Sequence, residues 1–111
     1  MLIPVDGTPR EVELPDGGGP RFMRSIRALT GTGCAERVWI TDRWEAWLDE
    51  NGTAAGKPAN QAATLLARAF GAEFGLYGTV VIVGLDKNSA PAALSPDQIS
   101  VMLMMVGPPG G

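Results

Sequence analysis

The chain has no histidine and only one cysteine, Cys34. Histidine is the side chain whose unperturbed pKa lies near neutrality, so Ser-His-Asp catalysis, Cys-His catalysis and His-ligated metal sites are excluded within a single copy. One cysteine excludes an internal disulfide and fits a reducing compartment, which makes the cytoplasm the expected location. Long apolar runs are also missing. The longest, residues 101–106, falls far short of the roughly 20 residues that a membrane helix needs, and no basic region followed by an apolar one opens the sequence. Neither secretion nor membrane spanning is therefore expected.

What is present fits one small folded unit. A length of 111 residues with 45% apolar content suits a single domain with a modest core. The 15 glycines and 9 prolines gather in connections and at the C-terminal end. Residues 1–106 are expected to form the domain and residues 107–111 a flexible Gly/Pro tail. Net charge is −3, but it is unevenly placed. Residues 1–19 carry one base and four acids, residues 20–43 five and two, and the remainder three and six, giving −3, +3 and −3. That patchiness is weaker than in an acidic DNA mimic or a basic DNA binder.

A short apolar run at 2–5 and an alternating one at 11–14, separated by Asp6-Gly7-Thr8-Pro9, predict a first hairpin. The spacing of Phe22, Met23, Ile26 and Leu29 predicts a helix over residues 20–30, started by Pro20 and stopped by Gly31. Its opposite arc holds Arg21, Arg24 and Arg27. Residues 36–41 and 44–49 predict two strands around a turn at Asp42-Arg43, with Asn51-Gly52 as a further turn. If Thr41 faced Trp44 across that turn, Trp39, Thr41, Trp44, Ala46 and Leu48 would share one face and Val38, Ile40, Glu45 and Trp47 the other. Ala62, Leu65, Leu66, Ala69 and Phe70 follow helical spacing, with Asn60 as cap and Gly71 as stop. The β-branched run at 79–83 predicts a central strand buried on both faces. Ser95-Pro96-Asp97-Gln98 is a capping box that opens a last helix to about Val106. The expected architecture is α+β, about five mostly antiparallel strands against about three helices.

The opening LIPVDGTPREVELP, the central DENGTAAGKPAN and the closing TVVIVG followed by LSPDQI resemble, in the same order, small actinobacterial, phage and mobile-element proteins of the domain-of-unknown-function 3846 family. The stretch from Gly56 to Asn60 carries much of the likeness. The resemblance implies a small α+β domain and brings no activity or binding residues with it. The last helix departs from the pattern: it is more polar in relatives, whereas residues 101–106 here are apolar on nearly every side.

No catalytic signature stands out, so a noncatalytic binding protein is expected. Trp47 and the Met102, Met104, Met105 set are its partner-binding candidates, because aromatic and Met side chains serve adaptable interfaces. A helix apolar all round must be covered on every side, so self-association through the last helix is a second expectation. The resemblance adds a host protein as the partner, and the host-cell cytoplasm as the location if the protein is phage encoded. Arg21, Arg24 and Arg27 are candidates for an anion or an acidic partner. They support the alternative of a nucleotide or nucleic-acid module, which the overall acidity disfavours. Lys57 and Asn60 are ligand candidates, although a capping role explains Asn60 more simply. An enzyme is the least favoured reading. Cys34 follows a helix C-terminus, where the dipole opposes a thiolate. Asp42, Glu45, Asp49 and Glu50 match no cation-binding loop. No cofactor and no metal are expected.

Overall fold

The computed structural model describes residues 1–6 and 8–106. Gly7, within the expected first turn, and the expected tail at 107–111 lie outside the described residues. The elements are β1 (Leu2–Ile3), a 3-10 turn (Asp16–Gly18), α1 (Pro20–Thr30), β2 (Ala35–Trp39), β3 (Trp44–Asp49), α2 (Gln61–Ala69), β4 (Val80–Leu85), β5 (Pro91–Ala92) and α3 (Pro96–Val106). All pairings are antiparallel. β4 lies between β3 on one side and β1 and β5 on the other, and β2 forms the far edge beyond β3. The described residues thus form an α+β domain with five strands and three α-helices.

Strand alternation sends the two faces of the sheet into separate cores. Ile3, Trp44, Ala46, Leu48, Val80 and Ile82 meet Ala63, Leu66 and Ala67 of α2 and Met102 and Val106 of α3. On the opposite face Leu2, Val81 and Val83 meet Phe22 and Ile26 of α1. The result is three layers, with α1 on one side and α2 and α3 on the other. β4 is buried on both faces, as its β-branched run requires.

The caps act where the residues suggest. Gly31 is left-handed at φ +71° and its N–H reaches the Arg27 carbonyl. The Asn60 side chain accepts from the Ala63 amide at 3.0 Å. Ser95 and Gln98 exchange side-chain bonds of 3.1 and 2.8 Å with each other's amides, closing the capping box.

Two expectations are corrected. The β2–β3 hairpin pairs Trp39 with Glu45 and Val38 with Ala46, one residue away from the assumed register. The Thr41 hydroxyl accepts the Arg43 and Trp44 amides at 3.0 and 3.2 Å and its own amide donates to the Trp44 carbonyl at 3.2 Å, so Thr41 closes the turn beyond the last paired residues. A one-residue shift moves every side chain to the other face. Trp39 therefore lies on the α1 side with Glu45 and Trp47, while Val38 joins Trp44, Ala46 and Leu48 on the other. Residues 11–14 do not form a second strand; only Arg10 bridges Leu2. The edge of β4 that such a hairpin would extend is taken by β1 and by β5, a two-residue strand with no signal in the sequence. Val12 and Leu14 pack against the α1 core instead.

Candidate functional site

α3 is covered on one side only. Met102 is buried in the core and Met104, half a turn further round, is 86% exposed. Val101 and Met105 flank Met104 on the outer side and are also exposed, so an apolar row faces away from α2 and the sheet. Of the expected methionine set, Met102 is core packing and only Met104 and Met105 remain accessible.

Trp47, expected as a partner contact, is half-buried and fully engaged inside the fold. Its ring meets Phe22 edge-to-face at 5.8 Å, and its indole N–H donates to Glu45 Oε1 at 3.0 Å. The three tryptophans do not form a layer. Trp44 is buried against Phe70 on the α2 side, Trp47 packs under α1, and Trp39 is 55% exposed at the edge strand. The accessible tryptophan was hidden in the sequence by the misplaced register.

The Gly56 to Asn60 stretch is built into the architecture. Asn60 is completely buried, and its amide donates to the Ile3 and Gly78 carbonyls at 2.9 Å each while accepting from Ala63. Lys57 pairs with Asp49 at 2.9 Å, and its stem lies against Gly78, where an added Cβ would come within 2.9 Å of Lys57 Cδ. Gly78 stands at φ +78° and leaves room for both demands. The Asn60 side chain is spent on bonds within the fold, and the Lys57 ammonium is held by Asp49. Their joint role is to tie the loop before α2 to β1, β3 and the entry to β4.

Four carboxylates close in sequence separate in space. Asp49 accepts from Thr32 Oγ1 at 3.1 Å, the Asn51 amide at 3.0 Å and Lys57, and these donors hold its carboxyl below its ordinary value. Glu45 is fully buried under the α1 layer. Burial pushes its carboxyl up, against the opposing pull of the Trp47 N–H and the Arg37 charge. Asp42 and Glu50 are exposed in turns. Among the described residues no three His, Cys, Asp or Glu side chains come close enough to hold a metal ion. Cys34 is exposed.

The two perturbed carboxyls act on stability with opposite signs. Asp49, depressed in the fold, contributes stability present above its ordinary value of 3.8 that is lost as pH falls through the folded value. Glu45, raised in the fold, favours the native state below 4.5, and that contribution is lost as pH rises through its folded value. Urea denaturation between about pH 2 and 5 should show an acid limb that Asp49→Asn flattens. An unchanged limb in that variant would show that the Lys57 pair contributes nothing.

Arg21, Arg24 and Arg27 are exposed on the outer side of α1. None forms an ion pair with another described residue. A cleft of about 340 Å³ lies between residues 11–15 and β4, lined mainly by Val12, Leu14, Phe22, Ile82 and Pro91. Its lining also includes the charged side chains of Glu11 and Glu13.

Fold and surface together define a class, a three-layer α+β domain with an exposed apolar helix face and a keystone asparagine between layers. Within that class the chain belongs to a family of domains of unknown function, DUF3846, whose model matches residues 1–107. No curated protein and no solved structure matches it. Among the described residues no helix is long and apolar enough to cross a membrane.

Proposed function

We propose that the protein is a noncatalytic interaction module that presents the outer side of α3 to a protein partner. The observation that carries this reading is the exposed row of Val101, Met104 and Met105 on a helix whose opposite side is core. Unbranched thioethers adapt to irregular partner surfaces, and a contiguous exposed apolar face on a soluble domain marks a contact site. We take a host protein as that partner, as the resemblance of the sequence to phage and mobile-element proteins implies. The absence of histidine supports a noncatalytic role, as does the engagement of Glu45, Asp49 and Lys57 in contacts within the fold.

Tagged protein should retain one partner from an actinobacterial lysate at near-stoichiometric yield. Met104→Glu should weaken that capture roughly thirtyfold, the scale of a central interface residue, while leaving circular dichroism and melting unchanged. Sedimentation of the purified protein separates self-association from a foreign partner. A monomer that captures nothing, with behaviour indifferent to Met104→Glu, would refute the assignment.

A further inference from the structure

The corrected hairpin register brings a second surface into view on the opposite side of the molecule from α3. Alternation from the paired Arg37–Trp47 and Trp39–Glu45 positions points Arg37 and Trp39 to the α1 side of β2. β2 is the free edge of the sheet, and Trp39 stands there 55% exposed. Beside it, Arg37 Nε lies 3.4 Å from Glu45 Oε2, with its side chain half in solvent and the Glu45 side chain wholly buried. Glu45 Oε1 is held by Trp47, whereas Oε2 has no hydrogen-bond partner and faces only the Arg37 charge. A buried carboxylate is costly and adds little net stability as an ion pair. Here it draws the Nε edge of Arg37 to the rim of the sheet.

α1 touches β2 on this face of the sheet, and its outer side carries three arginines. Arg21, Arg24 and Arg27 recur every three residues, about 4.5 Å apart along the axis. The central +3 segment of the sequence is thus α1, β2 and the turn that follows. Of its two acids, Glu36 projects from the other sheet face and Asp42 sits in the turn. Glu13 borders Arg21 at the start of α1 and Glu45 pairs with Arg37, so Arg24 and Arg27 form the uncompensated part.

We propose that Trp39, with Arg37, Arg24 and Arg27, forms a binding surface for single-stranded nucleic acid. Guanidinium groups match phosphate oxygens in planar, paired geometry, and an exposed indole offers a base a stacking face. An acidic peptide would satisfy the arginines equally well but would leave the tryptophan unused. The overall acidity of the chain does not oppose the assignment, because the excess acids belong to other parts of the molecule.

Fluorescence anisotropy with labelled oligo(dT) and oligo(U) tests it, titrated between about 50 and 200 mM salt. Duplex DNA and polyglutamate serve as competitors. Both single strands should bind, with the tighter one identifying DNA or RNA as the natural ligand, and affinity should fall with salt. Arg24→Gln and Arg27→Gln should each lower the logarithmic salt slope by about 0.7. Trp39→Ala should weaken binding roughly five- to a hundredfold at an unchanged slope, and Trp39→Phe should recover part of the loss. Since Trp39 is exposed, these variants should keep the wild-type circular dichroism. No binding at the lowest salt, indifference to Trp39→Ala, or competition by polyglutamate or duplex as strong as by single strands would each overturn the proposal. Met104→Glu lies on the other face and should not alter this binding, so its outcome is separable from that of the α3 reading.

Discussion

Asn60→Ala should bring the protein to the margin of unfolding at room temperature. Three interactions disappear together. The Ala63 amide loses its cap, a change that costs about 1 kcal/mol in typical helices. The Ile3 and Gly78 carbonyls lose the amide donor they share, and a buried polar group left unsatisfied costs about 1–3 kcal/mol. The sum, about 3–7 kcal/mol, compares with a total of roughly 5–15 kcal/mol for a domain of ordinary stability. Two further variants apportion the effect. Asn60→Ser keeps an oxygen for the cap and gives up the reach to both carbonyls, so it should recover only about 1 kcal/mol. Asn60→Asp also keeps the cap, but it sets a carboxylate against two carbonyl oxygens in a dry site and should be no better than alanine. Urea denaturation of the three variants checks the order. A loss below about 1 kcal/mol for alanine would mean that the amide bonds to β1 and the β4 entry carry no weight.

The same residue shows how far the sequence could be read. Asn60 was legible as a cap, because capping is local and depends on residues three apart. Its second role joins Ile3 and Gly78, 57 and 18 positions away, and no pattern in the chain marks such a meeting. The three α-helices, β3 and β4 were legible for the same local reasons, since each announces itself by apolar period and terminal residues. The hairpin register was not. It turned on how Thr41 closes the turn, its hydroxyl accepting two amides while its own amide bonds the Trp44 carbonyl, a geometry that no local pattern announces. With the register went Trp39, the accessible tryptophan, and the burial of Glu45. The exposed side of α3 was half legible. An all-apolar helix said that some face lacked cover, but only the placement of α2 and the sheet shows that Met102 is inside and Met104 outside.

Phe22→Ala should open the α1 layer well before the rest of the molecule. The described residues include thirteen buried members of the core between the sheet and α2 and α3, but only five on the α1 side. Phe22 is the largest of those five, 1% exposed, and its ring also braces Trp47. Truncating a buried phenylalanine typically costs about 3–5 kcal/mol, a large share of what so small a cluster can supply. α1 reaches the sheet through Phe22 and Ile26, with Met23 and Leu29 at the margin, so the loss falls on one element. Local opening follows the weakest packed unit. Hydrogen exchange of the α1 amides should therefore accelerate roughly a hundred- to a thousandfold in the variant, since each 1.4 kcal/mol is tenfold. β4 and α2 amides should change less. Uniform acceleration throughout would instead make the two cores one cooperative unit. The distinction bears on function because α1 displays Arg24 and Arg27, while α3 displays Met104 from the larger core. If α1 opens alone, Phe22→Ala should weaken nucleic-acid binding and spare the α3 contact. If the layers open together, both surfaces fail at once.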